Sequence, residues 1–320
     1  MIVVTGAGSM GSMFGGLMSR AGHDVTLVDV NAAHMTAVVS DGLTLQFPDG
    51  RTEVVRPGAT TDPSTLRDVS LVVVLTKSFA TRDAAAAIRH ALRDDAVVVT
   101  VQNGLGNDRT LAEVLGERRV LGGTTTSGAE LLAPGRVALS PITASGASLT
   151  ECAPVRAELN SDADLVARAN AAAALLTGAG LPTHVRDSID GVVWKKLCLA
   201  ATAAPLTAAL RCTVADLLGD GSATTLLRAM FDEIIAVARA EGVSIDAEYT
   251  WQHAMTTFTS VGAHQTSMAV DVAKGRRTEI DAMCGEIARR GRLHGIATPH
   301  HDVIGTMIRA IEEKNHIRMR

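Results

Sequence analysis

"TGAGSMGSMFGGLMSRAGHDVTLVDVN", residues 5–31, follows the apolar run "MIVV" and carries Gly6, Gly8 and Gly11 at G-x-G-x-x-G spacing. The order strand, glycine turn, helix, second strand is what a dinucleotide-binding turn requires. The first glycine permits the tight turn, the second lets a pyrophosphate approach the backbone, and the third lets helix and strand pack closely. The helix start, with Ser9 and Met10 between the glycines, turns its amides towards the negative charge. Asp29 ends the second strand 18 residues beyond Gly11, where a carboxylate can accept from a ribose 2′-hydroxyl, and Asn31 follows it. A solvated strand-end acid is the plain alternative. No Lys or Arg lies between Arg20 and Arg51, so a 2′-phosphate would meet Asp29 with only His34 nearby as a cation. NAD(H) is therefore expected over NADP(H).

Outward from this stretch, "VSLVVVLT" (69–76) and "DAVVVTVQN" (95–103) are near-continuous apolar runs, as parallel strands covered on both faces should be. Helical patterns near 9–22, 31–40, 78–92 and 107–115 alternate with them, giving βαβ order. "LTLQFPDGRTEVV" (43–55) reads as an inserted hairpin around Pro-Asp-Gly. From 120 to 150, short runs rich in Gly, Thr, Ser and Pro suggest antiparallel strands finishing the sheet. A helix near 161–178 and a strand at 182–186 follow. After 187 only helical patterns continue, near 187–210, 221–241, 245–258, 266–296 and 300–314. The expectation is an α/β fold: an N-terminal Rossmann-type doubly wound parallel sheet (1–186, dinucleotide binding) and a C-terminal all-helical domain (187–320, substrate and catalysis).

Composition narrows the function. The chain has 320 residues with 47% hydrophobic and 20% charged, a globular balance. Net charge is −4 and only 2% of residues are aromatic, so neither a basic face nor stacking platforms for nucleic acid are expected. Four scattered cysteines form no C-x-x-C pair, so no metal site is expected. No apolar stretch reaches the roughly 18 residues needed to span a bilayer. The chain opens directly into a strand pattern without a leader. A cytoplasmic protein with a small-molecule partner is expected, with a homodimer left open.

"DGVVWKKLCLAATAAPLTAAL" (190–210) is almost entirely apolar after its second lysine. In a helix Lys196 has Val192, Val193, Leu199 and Ala200 three and four positions away. An ammonium seldom leaves water without a partner, although a long stem that snorkels would also account for it. Asn103 falls at the carboxyl end of a strand, where open α/β sheets bind ligands, and an amide there can donate and accept. An Asn-Gly turn is the bland reading. Lys77 ends the preceding strand, where it could attract a pyrophosphate or simply be solvated. Glu279 lies among Ile280, Met283 and Ile287 with Arg276 and Arg277 nearby, so either an inward carboxylate seeking a cation or local Arg–Glu pairing fits.

"GAGSMG", "LTKSFA", "VQNGLGN", "GAELLAPGRV" (128–137), "WKKLCLAATAAPLTAAL" and above all "TSMAVDVAKGRRTEID" (266–281) together resemble the ketopantoate reductase (2-dehydropantoate 2-reductase) family over nearly the whole chain. The resemblance implies hydride reduction of a 2-oxo acid to a 2-hydroxy acid. It makes Lys196 the catalytic lysine, with Asn103 helping to position it, Glu279 its carboxylate partner and Ser267 a substrate contact. It selects Lys196 over Lys195 because the family's lysine is followed by Leu, with Pro nine positions on, here Leu197 and Pro205. The chain departs from the family at Ala200 and Ala204, where asparagines are common, and at Val214, which aligns with a further asparagine. These departures imply a smoother, more apolar pocket than ketopantoate needs. Two other readings remain: a β-hydroxyacid dehydrogenase like 3-hydroxyisobutyrate dehydrogenase, whose lysine is followed four residues later by an Asn that is absent here, and a non-catalytic NAD-binding redox sensor.

Overall fold

The valines of the central strands serve two cores at once, and this explains the sheet. In the computed structural model, which describes residues 1–263 and 265–318, Val4, Leu71, Val73, Val97 and Val99 enter one apolar cluster. Val3, Val72, Val74 and Val98 enter another. Successive side chains of a strand point to opposite faces, so such runs are stable only when helices cover both.

The chain groups into two compact units. The first comprises residues 1–102 and 107–189. Its chain order is β1 (Ile2–Thr5), α1 (Ser9–Arg20), β2 (Val25–Val28), α2 (Ala32–Asp41), β3 (Leu43–Gln46), β4 (Thr52–Val55), β5 (Gly58–Thr60), β6 (Val69–Val74), α3 (Thr81–Ile88) and β7 (Leu92–Thr100). It continues with α4 (Asn107–Leu115), β8 (Val120–Thr125), β9 (Ala129–Ala133), β10 (Arg136–Leu139), α5 (Pro141–Ala144), β11 (Thr150–Pro154), α6 (Ala163–Gly178) and β12 (Thr183–Val185). Eight strands form one sheet in the order β12-β11-β8-β7-β6-β1-β2-β5. Every pair is parallel except β11 with β8.

The stretch after residue 120 is thus more varied than expected. β8 continues the parallel sheet, and only β11 reverses. The β9–β10 hairpin leaves that sheet and joins the 43–55 hairpin in a second one, ordered β4-β3-β10-β9. β10 runs parallel to β3, and their inward Leu45 and Val137 are fully buried.

The second unit comprises 103–106 and 190–320. Its helices are α7 (Asp190–Leu210), α8 (Val214–Gly219), α9 (Gly221–Ala240), α10 (Ala247–Val261), α11 (Ser267–Ala273), α12 (Cys284–His294) and α13 (Pro299–Arg318). The single helix expected over 266–296 is broken. Gly275 takes φ +65°, and the Arg276 amide and guanidinium both turn back to Asp271, at 2.8 Å to its carbonyl and 2.9 Å to its carboxylate. Among the described residues no helix is long and apolar enough to cross a membrane.

Pro205 lies inside α7 and cannot donate to the carbonyl of Ala201. The Cys284 thiol covers that carbonyl at 4.0 Å. Glu233 of α9 accepts from the backbone amides of His300 and His301 at 2.9 and 3.1 Å and meets their Nδ1 atoms at 2.7 and 2.6 Å. A side chain from another helix thereby caps the start of α13. Burial alone would raise this carboxyl, but the hydrogen bonds from His301 and His300 outweigh it and hold it down to about 2.

A folded-state pKa below the unfolded value contributes stability above pH 4.5 that is lost as pH falls towards 2. Glu233→Ala is expected to cost about 3–5 kcal/mol at neutral pH. It should also flatten the decline of stability over that acid range, as read by urea unfolding at stepped pH.

Candidate active site

The glycine turn has the geometry its sequence implies. Gly6 takes φ +82°, and a Cβ there would meet the Thr76 amide nitrogen at 2.3 Å. At Gly11 a Cβ would lie 2.0 Å from the Gly6 carbonyl oxygen, so only glycine lets α1 pack this closely on β1. Beside Gly8, by contrast, there is open space. The first-turn amides of α1 have no intrahelical partner, and Gly8 leaves room for a group to reach them. That combination fits the pyrophosphate of a dinucleotide. The Ser9 hydroxyl accepts from the Leu131 amide at 3.0 Å, tying α1 to β9, and Met10 packs partly into the core. Lys77 is the residue just before the 3-10 turn Ser78–Ala80.

Asp29 stands one residue past β2. Its Oδ1 accepts from the Asn31 amide at 2.9 Å, and Asn31 in turn caps α2 by accepting from the His34 amide. His34 is 1% exposed. Its Nδ1 accepts from the Gly135 amide at 2.9 Å, so the ring proton sits on Nε2 and goes to Ser12 Oγ, itself a donor to the Ala7 carbonyl. Burial lowers its pKa despite the pull of Asp29. His34 is therefore a neutral strut beneath the glycine turn and offers no cation to a phosphate. Arg20 and Arg51, which bound the cation-free stretch, both pair with Glu53.

Gln102 was not singled out from the sequence. It is 9% exposed, just past β7. Its Nε2 donates to the Thr76 carbonyl at 2.6 Å and to Thr81 Oγ1 at 2.9 Å, while its Oε1 accepts from Thr100 Oγ1 at 2.8 Å. The amide thus holds Thr76, the residue against which Gly6 turns. A lone amide at the end of "VVVTVQ" was the available signal.

Asn103, Lys196, Ala200, Ala204, Ser267 and Glu279, expected from the sequence to serve catalysis or substrate, all fall in the helical unit. Lys196 is half-buried on α7, whereas Lys195 is exposed. Trp194 anchors this end of α7: it is 2% exposed, with the buried Arg290 guanidinium over its ring at 5.9 Å and Arg290 paired to Glu241 and Glu286. Desolvation lowers the Lys196 ammonium to about 8, and the charge of Glu279 opposes that fall.

Glu279 is 8% exposed and opens the 3-10 turn Ile280–Ala282. Arg276 turns to Asp271 and Arg277 lies near Asp281 at 4.0 Å. Residues of α13 brace this turn: Glu312 accepts from the Thr278 amide at 2.7 Å, and Arg309 pairs with Asp281 at 2.9 Å. Ser267 begins α11, which packs on α7. Thr266 and Thr207 share a hydroxyl contact at 2.7 Å, and Thr207 also donates to the Ala204 carbonyl. The start of α11 is thereby fixed beside the alanine face of α7.

A lysine poised near neutrality beside a buried carboxylate, in a chain that also carries a dinucleotide turn, suits proton delivery coupled to hydride transfer. Family models match the chain in both units. "Ketopantoate reductase PanE/ApbA" matches residues 2–146 and "Ketopantoate reductase PanE/ApbA C terminal" matches 188–312. The chain belongs to the ketopantoate reductase family.

A 2-dehydropantoate 2-reductase from Halobacterium salinarum is 36% identical over 308 residues, covering 96% of this chain and 97% of that protein. The ternary structure of D-mandelate dehydrogenase with NADH and anilino(oxo)acetate superposes with a TM-score of 0.90 at 26% identity, over 99% of this chain and all of that one. A PanE/ApbA family ketopantoate reductase from Ralstonia eutropha gives 0.86 at 31%, with the same coverage. As a family member the chain is an NAD(P)-dependent 2-oxo acid reductase with a Rossmann-type nucleotide-binding fold.

Since Glu279 holds the Lys196 pKa up, removing its charge should lower it. Glu279→Gln is expected to bring the Lys196 titration below 8, measured by NMR of a lysine labelled at Cε.

Proposed function

We propose that the enzyme reduces a 2-oxo acid with a bulky, weakly hydroxylated tail, using NADH, with Lys196 as the general acid. The observation that carries this reading is the half-buried Lys196, drawn down to about 8 beside the buried Glu279. A general acid works best when its pKa lies near the operating pH.

Bound nicotinamide dinucleotide supplies the hydride to the carbonyl carbon. Gly6, Gly8, Ser9, Met10, Gly11, Asp29, Asn31 and Lys77 would hold the dinucleotide. As the C=O π pair moves onto oxygen, Lys196 Nζ hydrogen-bonds that oxygen and gives it a proton, leaving a neutral amine and a 2-hydroxy acid. Glu279 keeps the ammonium charged until then. Asn103 orients the amine or the nicotinamide amide, and Ser267 holds a polar group of the substrate.

The tail assignment rests on Ala200 and Ala204, one turn apart on α7, which present methyl groups where family members commonly have amides. A relative of this fold, D-mandelate dehydrogenase, has been captured with anilino(oxo)acetate, an arylated oxo acid, and that supports an apolar tail here. Preference for NADH rests on Asp29 together with the sequestered, neutral His34, which leaves a 2′-phosphate facing a carboxylate.

Steady-state kinetics on phenylglyoxylate and ketopantoate test the substrate. The aryl acid is expected to give the higher kcat/KM, and Ala200→Asn with Ala204→Asn should shift preference towards ketopantoate. Ordinary efficiency on ketopantoate alone would refute the apolar pocket. With either substrate, kcat/KM for NADH should exceed that for NADPH by about a hundredfold, the scale of an uncompensated like-charge contact. Reduction should decline as pH rises through about 8, where Lys196 loses its proton. Lys196→Ala should lower kcat by about 10²–10⁴ while leaving NADH binding intact.

A further inference from the structure

Residues 103–106 follow a strand of the first unit yet group with the helices of the second. Two contacts hold them there. Leu105 is 9% exposed and belongs to the same apolar core as Leu197, Ile280 and Met283, and its amide donates to the Ala282 carbonyl at 2.9 Å. Gly104 takes φ +86°, with its α-carbon so close to Ala282 that a Cβ would lie 2.4 Å from the carbonyl oxygen and 2.8 Å from the methyl group. Ala282 closes the 3-10 turn that Glu279 opens, its amide donating to the Glu279 carbonyl at 3.1 Å. Asn103 is therefore covalently attached to a clamp whose other jaw is the Glu279 turn.

Gly106 supplies an internal control. It has the same φ of +86°, but nothing lies within 4 Å of where its Cβ would be. Positive φ disfavours a side chain at both glycines. Only Gly104 carries the added demand of contact with Ala282.

We propose that Gly104 and Leu105 are positioning residues for the reduction: by clamping the Ala282 turn they fix Asn103 and Glu279 in register with Lys196. The proposal rests on the reading of Lys196 as the proton donor. Displacements near 1 Å suffice to matter at that donor, since they can cost about 10²-fold in rate. An opened clamp also lets water reach Lys196, and relief of the desolvation, the larger influence on its charge, is expected to outweigh the weakened pull of a displaced Glu279.

The test compares Gly104→Ala, Gly106→Ala and Leu105→Ala in the full chain, with Lys196→Ala as reference. The readouts are Tm, NADH binding by fluorescence, the Lys196 titration by NMR, and kcat and KM on phenylglyoxylate. Gly104→Ala is expected to lower kcat about 10²-fold, with KM for NADH little changed and the Lys196 titration moved upward from 8. Gly106→Ala should lower Tm through the same left-handed strain but leave the titration in place. Leu105→Ala should follow Gly104→Ala, and Leu105→Met should recover most of kcat, which keeps the test open if Gly104→Ala does not fold. Equal effects of the two glycine variants on kcat and titration, or an unmoved titration in Leu105→Ala, would overturn the clamp. Activity surviving in Lys196→Ala would instead refute the proton-donor reading, and the titrations would still judge the clamp.

Discussion

An ammonium withdrawn from water beside a buried carboxylate is the constraint around which the helical unit is arranged. Desolvation pushes Lys196 towards neutrality and Glu279 pulls it back. The balance depends on separation and on water, both of which must be held steady. Both elements that carry the pair are braced: Trp194 of α7 lies under Arg290, α7 meets the start of α11 through Thr207 and Thr266, and α13 side chains hold the Glu279 turn. The polar groups that brace the site are paired, so their burial adds order without an unsatisfied donor.

The nucleotide end relies on close approach instead of charge. Gly6 and Gly11 are glycines because backbone occupies the space a side chain would need, whereas the space beside Gly8 is open. Beneath them Ser12 and His34 complete a chain of hydrogen bonds from Ala7 to Gly135. The imidazole is spent on structure, and the region's electrostatics are left to Asp29.

Much of this could be read from the chain. Continuous valine runs announce strands buried on both faces, and the three glycines announce their separate roles because each has one physical cause. The break in the 266–296 helix was hidden because Ile280, Met283 and Ile287 resume a helical spacing just beyond it, while the turn at Gly275 is fixed by Arg276 reaching back to Asp271. β5 escaped notice because Gly58–Thr60 is three residues long, and α8 because it is six. The second sheet was illegible for another reason: each hairpin has a local signature, but their pairing is a long-range event. The partners of Gln102 and the Gly104–Ala282 contact are likewise tertiary facts, which no window of sequence contains.

That long-range pairing bears on how the protein is made. His34 and Gly135 are 101 residues apart in the chain, and Ser9 and Leu131 are 122 apart. The underside of the glycine turn therefore cannot form until the intervening strands and helices have been laid down. The loop-closure entropy of such contacts must be met before they contribute anything. In a chain emerging from the ribosome, the glycine turn would be synthesised well before the contacts that make it rigid. Competence to hold a dinucleotide would then report on the completion of the whole first unit.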